Sequence, residues 1–499
     1  MKLTGLLLTL ASACFTLTTL AAIRYVDINA SNATAPYTNW ATAAAVIQDA
    51  VDVADAGDTV LVTNGVYRTG SRVAGTSTTN RVAITKALAL QSVNGPAVTI
   101  IEGNLLPGSM KLRQMRCVYL AEGAMLAGFT LTNGVALRGF IPGGYPQNGG
   151  GVYCASASAT VSNCVITFNW ATDEGGGSYG GTLVDCTLAN NYASIAGAAA
   201  YSTLIRCRLL DNSAYDNGGG AYYCTLNNCS VVGNFLLGQN GSGGGASYCL
   251  LNNCTVLSNS VSLLAPLGGG GTLDSTQNNC IVYFNRARTN DNHASSGRRT
   301  FGVLDYCCTT PLPAKGAANF TNAPLFVNQA NGDLHLQPGS PCINAGNNAH
   351  ATNLLDLDGL PRISGGTVDV GAFEFQNPAS RISNCWLQQF GLATDGSADE
   401  ADPDGDEMST LKEWCCGTDP TNQLSVLRVL NLANDTLGVR VTWQSVPTRS
   451  YWLERATNLS APDFSSLANG LPGALGLTSF SDLTATNDGP YFYRVGVEQ

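Results

Sequence analysis

One stretch of the chain has the residue types and spacing to hold an ion. Asp402-Pro403-Asp404-Gly405-Asp406, with Glu413 at the twelfth position, reproduces the oxygen spacing of a calcium loop: side-chain ligands at positions 1, 3 and 5, the backbone carbonyl of Met408 at 7, and a bidentate carboxylate at 12. Hard oxygens so spaced wrap one ion, and structural calcium is the cofactor expected. A merely acidic turn is the plainer alternative. Glu407 stands sixth, where glycine usually makes the sharp turn, so the backbone there is strained or differently shaped. Helix-like runs flank the loop, Cys385 to Leu392 and Ser409 to Cys416. Across them Cys385 could reach Cys415 or Cys416 in a disulfide that export permits.

A second kind of chemistry has to be weighed. Cutting an acidic polysaccharide by β-elimination takes a base for the proton next to a carboxylate and cations to neutralise that carboxylate, whereas hydrolysis uses paired aspartates. From Gly149 to Asn285 there is no lysine or histidine, and the only cations are Arg206 and Arg208. With Asp185 and Asp211 they form the best charged group on the expected strands, and these four are the catalytic candidates. None is assigned a role, because Asp185 sits one repeat before Arg206 in the equivalent slot and an ion pair between repeats accounts for both. The basic run Arg286, Arg288, His293, Arg298 and Arg299 reads as a solvated loop or a contact for an anionic glycan.

The elements that would position these residues repeat. Cysteines fall at 164, 186, 207, 229, 254 and 280, each followed five residues later by Asn169, Asn191, Asn212, Asn234, Asn259 and Asn285. Between them lie Ile166, Leu188, Leu209, Val231, Val256 and Val282. Three before each cysteine come Val161, Leu183, Leu204, Leu226, Leu251 and the exception, Gln277. Short alternation broken by triple glycines means strands. A unit this short cannot bury its apolar face alone and must stack on its neighbours. Parallel strands about 4.8 Å apart would put cysteine and leucine or valine in inner columns, with asparagine amides bonding from coil to coil. The ladder thiols are read as buried and reduced, acting as small hydrophobes; Cys224 and Cys249 form a second short column. The vicinal pair Cys307-Cys308 has no assignment.

Charged residues make up only 12% of the 499, glycine accounts for 56, and the net charge is -10. The basic footprint of a nucleic-acid binder is absent. Lys2 followed by an apolar run from Leu6 to Leu20 with Ala21 and Ala22 reads as a secretory signal, residues 1–22. Ala11-Ser12-Ala13-Cys14 offers a lipid anchor at Cys14 as the lesser alternative. No later run is long enough to span a membrane. The expected product is a monomer, secreted or at the cell surface of a bacterium.

Ahead of the ladder, Trp40 to Val51 has helical spacing, and a helix over about 40–54 would cover the open end of the stack. Asp58 to Val62 and Asn64 to Tyr67 follow as strand, turn and strand. Ala56 to Tyr67, "AGDTVLVTNGVY", resembles the first coil of the pectin-lyase-like right-handed parallel β-helix family, and Arg81 to Gly103 and Gly123 to Gly134 continue the likeness. The resemblance implies an all-β, right-handed parallel β-helix over 23–330, with ladder coils at 149–285. It implies far less about activity. Val135 to Gln147, with Arg138, Pro142 and Tyr145, is an inserted loop. "GDLHLQPGSPCINAGN" (Gly332 to Asn347) and "DLDGLPRISGGTVDVGAFEF" (Asp356 to Phe375) resemble the choice-of-anchor Q domain of bacterial surface β-helices, read at 331–376 as a terminal coil and cap. Asp356, Asp358 and Asp369 in it are a candidate cation set, with Asp-Gly turns as the blander account. Segment 384–422 resembles dockerin-like or thrombospondin-type-3-like calcium motifs. Period-two alternation after Ser425 predicts a small antiparallel β-sandwich at 425–499 with its aromatics in the core.

Three functions follow as expectations. The first is a non-catalytic binding or adhesion protein for extracellular polysaccharide or surfaces. The second is a pectate-lyase-like polysaccharide lyase with Arg208 or the 286–299 loop as base. The third is a structural envelope stalk.

Overall fold

A computed structural model describes residues 21–75, 78–103, 114–137, 147–264, 268–297, 302–435, 438–460, 463–486 and 489–498. The signal segment as far as residue 20, Cys14, Arg138, Pro142, Tyr145, Arg298 and Arg299 lie outside these. The chain divides into two compact units, Met1–Ala193 and Ser194–Gln499, and one kind of coil builds both.

In the second unit that coil is clearest. One wall stacks Thr203–Ile205, Thr225–Asn227, Leu250–Asn252 and Thr276–Asn278 in parallel, so Leu204, Leu226, Leu251 and Gln277 share a column. A second stacks Arg208–Leu210, Ser230–Val232, Thr255–Leu257 and Ile281–Tyr283. A third runs from Ala199–Ala200 through Ala221–Tyr222 and Ala246–Ser247 to Thr272–Leu273. The first unit repeats the pattern, with walls such as Thr130–Thr132, Val165–Thr167 and Thr187–Ala189. The fold is all-β, a parallel β-helix followed by short helices and a small antiparallel sandwich.

What bends the chain between walls is a left-handed residue. The coils of the second unit turn at such residues, for example Tyr223, Asn228 and Gly233 at φ 48°, 52° and 69°. Asparagine and aspartate tolerate that region better than other side chains, which is why they crowd these corners. The triple glycines answer a different demand, close approach. A Cβ on Gly220 would lie 2.6 Å from the Gly245 carbonyl of the next coil.

Cys207, Cys229, Cys254 and Cys280 are all buried inside. The backbone N–H of Cys207 points at the Cys229 sulfur at 3.4 Å, and that of Cys254 at Cys280 at the same distance. The second column runs Ser202, Cys224, Cys249, Ser275. The vicinal pair resolves by strand alternation: Cys307 continues the inner column, while Cys308 faces the other way into a separate core with Cys342.

Two expectations are corrected. The covering helix is shorter than 40–54: α1 spans Ile47–Val53, and Trp40–Thr42 is a separate 3-10 turn because Ala44 bridges Val26. Its Gln48 side chain accepts from Ala83 N at 2.7 Å and donates to Ala83 O at 3.3 Å, completing an exposed strand edge. The segment 331–376 is not a terminal coil. It runs along the flank of the second unit, burying Leu257 and Ile281, which point outward from their strands, under Leu336, Ile343, Leu357 and Phe373. Three corner amides zip it down, Asn228 to Leu355 O (2.7 Å), Asn253 to His350 O (2.9 Å) and Asn279 to Asn347 O (2.9 Å).

Farther on, α2 (Asn384–Gln389) and α3 (Thr410–Cys416) are short. The sandwich pairs Val429–Asp435, Gly438–Ser445 and Gly476–Asp482 in one sheet and Ser450–Ala456, Ser465–Pro472 and Phe492–Val497 in the other, over Val441, Trp443, Tyr451 and Leu453. Among the described residues no helix is long and apolar enough to cross a membrane.

Candidate functional site

The acidic loop folds around its own carboxylates. Asp402 Oδ1 accepts from the N–H of Gly405 (2.8 Å) and its Oδ2 from that of Glu407 (3.0 Å), and Asp406 Oδ1 accepts from Met408 N at 2.8 Å. Glu407 takes the turn at φ 74°, a left-handed conformation in which glycine would be relaxed. Ala401 closes the loop by accepting from Thr410 N at 2.8 Å. Carboxylate oxygens of Asp402, Asp404 and Asp406 lie within 4.8 Å of one another.

From the far side α3 brings Glu413, which is fully buried. Asp404 Oδ2, Asp406 Oδ2 and Glu413 Oε2 are buried with no hydrogen-bond partner. Burial, and next the charges of Asp404 and Asp406, push Glu413 up to about 7. Burial and the Asp406 charge also raise Asp404. Buried oxygens left without a donor are costly, and a hard cation satisfies all of them at once. The donor set, oxygen only and carboxylate-rich, fits such an ion. Cys385 and Cys416 carry free thiols, so the disulfide considered for Cys385 is not formed.

The catalytic candidates occupy corners and an outer strand face. Asp185 (φ 55°) and Arg206 (φ 51°) each occupy the left-handed corner before a cysteine, and Asp211 (φ 53°) the corner before an asparagine. Arg208, on the outer face of its strand, reaches Asp358 Oδ1 at 3.1 Å. Asp358 Oδ2 lies 2.6 Å from His335 Nε2, and Asp333 Oδ1 lies 2.6 Å from His335 Nδ1. Partial burial disfavours the imidazolium, but the hydrogen bonds to Asp333 and Asp358 outweigh it and hold His335 above its ordinary value. Each ring nitrogen is thus occupied by a carboxylate. The signal for this histidine was in the sequence, since residues 333 and 335 alternate onto one face of a strand. In the basic run, Arg286 and Arg288 are exposed, and Asp274 anchors the loop by accepting from Ser295 Oγ (3.0 Å) and Ser296 N (2.9 Å).

Asp356, Asp358 and Asp369 do not converge on an ion. Asp356 accepts from the N–H groups of Asp358, Leu360 and Glu374, and Asp369 from that of Asn344 at 2.7 Å. Asp369 and Glu374 are buried with Arg362. Burial raises Asp369 to about 7; burial, then the nearby Asp369 charge, raises Glu374 to about 8. Both exceed the ordinary carboxylate value of about 4, so the folded state holds protons that the unfolded chain releases. This contribution to stability is complete below pH about 4 and is lost as pH rises through about 7 and 8. Urea unfolding of the second unit should therefore weaken between pH 5 and 9, and Glu374→Gln should flatten the upper part of that slope.

No protein-family model and no curated protein matches the chain. Among solved structures it is similar to a pectate lyase, Pel9A, at 13% identity over 72% of this chain and 97% of that one, with a TM-score of 0.47. It is similar also to a pectin methylesterase from carrot, at 11% identity over 61% of this chain and 90% of that one with a TM-score of 0.30. A rhamnogalacturonan lyase matches at 11% identity over 62% of this chain and 91% of that one, with a TM-score of 0.33.

Proposed function

We propose that this is an exported, monomeric β-helix protein that binds extracellular polysaccharide without cleaving it and carries one structural calcium. The work done by the charged candidates carries the non-catalytic part. Asp185, Arg206 and Asp211 turn corners, and Arg208 clamps the flanking segment through Asp358. On the coils after Arg208, the outward Leu257 and Ile281 are covered by Phe326, Leu336, Ile343, Leu357 and Phe373 of the flanking segment. Calcium would be held by Asp402, Asp404, Asp406, the Met408 carbonyl and Glu413, on the strength of the three unpartnered oxygens. It would supply positive charge and order, with no part in bond cleavage. The choice-of-anchor Q-like and dockerin-like readings of 331–376 and 384–422 belong to the same proposal, as attachment and calcium segments of a surface protein.

The test is an ultraviolet assay for unsaturated uronide released from pectate and alginate. Wild type and Arg208→Ala should both leave the absorbance flat. A rise with wild type that the variant abolishes would establish the lyase reading instead.

A further inference from the structure

Two thiols from distant parts of the chain meet where the flanking segment crosses the end of the coils. Cys308 sits on the last strand of the wall that holds Ile281, and Cys342 in the turn at residues 341–344. Both are fully buried in the core that the segment shares with the coils, among Leu257, Ile281, Leu336 and Ile343. Their side chains are hydrogen-bonded to one another. The Cys308 thiol also donates to the Asn322 carbonyl at 3.1 Å, and Cys342 N donates to Ser340 Oγ at 3.3 Å.

This contact differs in kind from those of the inner column. Cys254 and Cys280 precede strands that pair in register, Thr255 with Ile281, so they lie one strand spacing apart, about 4.8 Å. A disulfide needs its Cβ atoms about 3.5–4.5 Å apart, which a hydrogen-bonded ladder does not give. Cys308 has Ile281 and Phe320 as its strand neighbours. Cys342 comes to it from outside the ladder, and no strand register fixes their separation.

A third thiol lies close by. Cys385 stands in the first turn of α2, and Asn384 before it grips the turn that bears Cys342, donating from N to Ile343 O and from Nδ2 to Ser340 O, both at 3.1 Å. Burial, and next the charge on Cys342, push Cys385 up to about 11. It is the competitor for Cys342.

We infer that Cys308 and Cys342 close a disulfide as the exported chain folds, pinning the flanking segment to the coils. This rests on the export part of the reading above. Each sulfur gives up one proton and one electron, one S–S bond forms, and the disulfide of the oxidant, glutathione or a thiol–disulfide oxidase, is reduced to two thiols. Both sulfurs are shielded in the folded state, and burial holds the Cys342 thiol well above its ordinary value. The bond therefore forms before the segment docks, and the closed loop constrains the unfolded chain.

The experiment is refolding of the full chain from denaturant and reductant in a glutathione redox buffer, then alkylation in denaturant and non-reducing peptide mapping. The expected product is a linked pair of peptides carrying Cys308 and Cys342, which Cys307→Ala keeps and Cys308→Ala abolishes. Reductant should lower the urea midpoint of the refolded wild type and leave that of Cys308→Ala unmoved, a difference that thiols acting only as packing would not produce. Should Cys308→Ala fail to fold, the wild-type map still decides. Alkylation of both Cys308 and Cys342 after oxidative refolding would overturn the cross-link, and Cys342 linked to Cys385 would overturn the pairing. Export is read separately, from whether a bacterial host carries the chain with its own residues 1–22 to the periplasm. A chain that stays in the cytoplasm yet links in glutathione supports the pair while the export reading fails; an exported chain with both thiols free overturns the pair and leaves export standing.

Discussion

Calcium added to chelator-stripped protein should raise the unfolding temperature of the region around α3, and the gain should vanish in Asp404→Ala. The expected size follows from linkage: a ligand that binds only the folded state stabilises it by about 2.7 kcal/mol at a hundredfold excess over its dissociation constant. The reason lies in what the bare loop endures. Three carboxylates, Asp402, Asp404 and Asp406, converge, oxygens of Asp404, Asp406 and Glu413 are buried and unpartnered, and Glu413 is driven up to about 7 first by burial and then by the charges of Asp404 and Asp406. Glu413→Gln removes a buried charge and should make the calcium-free protein more stable while abolishing the calcium-dependent gain. That reversal of sign separates an ion site from an acidic turn. Calorimetric titration together with thermal unfolding, with and without chelator, measures both. A calcium-free protein that Glu413→Gln destabilises, and a wild type indifferent to calcium, would exclude the site.

The effect should be felt beyond the loop. The carbonyls of Trp414 and Cys415 at the end of α3 accept from Arg449 of the sandwich at 2.9 and 2.8 Å, and Gln423 of the linker donates to Gly405 O at 3.2 Å. An ion that fixes Glu413 therefore fixes the helix on which the sandwich rests.

How much of this could be read from residue order depends on whether the signal is periodic. The cysteine and asparagine columns were legible because each coil restates the same constraint, so identical neighbours meet one strand spacing apart. The clustering of Asp402, Asp404 and Asp406 was legible because the three are local in sequence. The corners were not. Aspartate in a left-handed turn looks the same in a sequence as aspartate poised for acid–base work, and Asp185 and Asp211 both take that turn. The flanking segment was hidden for another reason: its partners Asn228, Asn253 and Asn279 lie 68 to 127 residues away and outside the helix, where no repeat announces them. Cys308 became interpretable only once that segment was in place, since it faces the core the segment creates.

The largest single loss of stability in the coils is expected from the asparagine column, and Asn234 is the place to look. Its buried Oδ1 accepts from Asn212 N at 3.0 Å and Asn212 Nδ2 at 2.9 Å, while its Nδ2 donates to Leu209 O and Asn259 Oδ1, both at 2.9 Å. One amide thus satisfies the coil before it and the coil after it. Asn234→Ala strands the Asn212 N–H in an interior without water and removes the side-chain donor to the Leu209 carbonyl. At about 1–3 kcal/mol for the orphaned donor and about 1 kcal/mol for each hydrogen bond lost with the amide, the cost should reach about 4 kcal/mol. Asn234→Asp keeps the acceptor but loses the donor and buries a charge, so it should be at least as damaging. Cys229→Ala, one column away, removes a sulfur whose place is largely apolar and should cost only about 1 kcal/mol. Because stability in a stacked-coil protein is close to a sum of nearest-neighbour terms, breaking one rung should also loosen cooperativity, lowering the denaturant m-value as well as the midpoint. Equilibrium urea unfolding of the three variants decides it. If Asn234→Ala and Cys229→Ala cost the same, the amide column is ordinary packing and the coils are held by apolar burial alone.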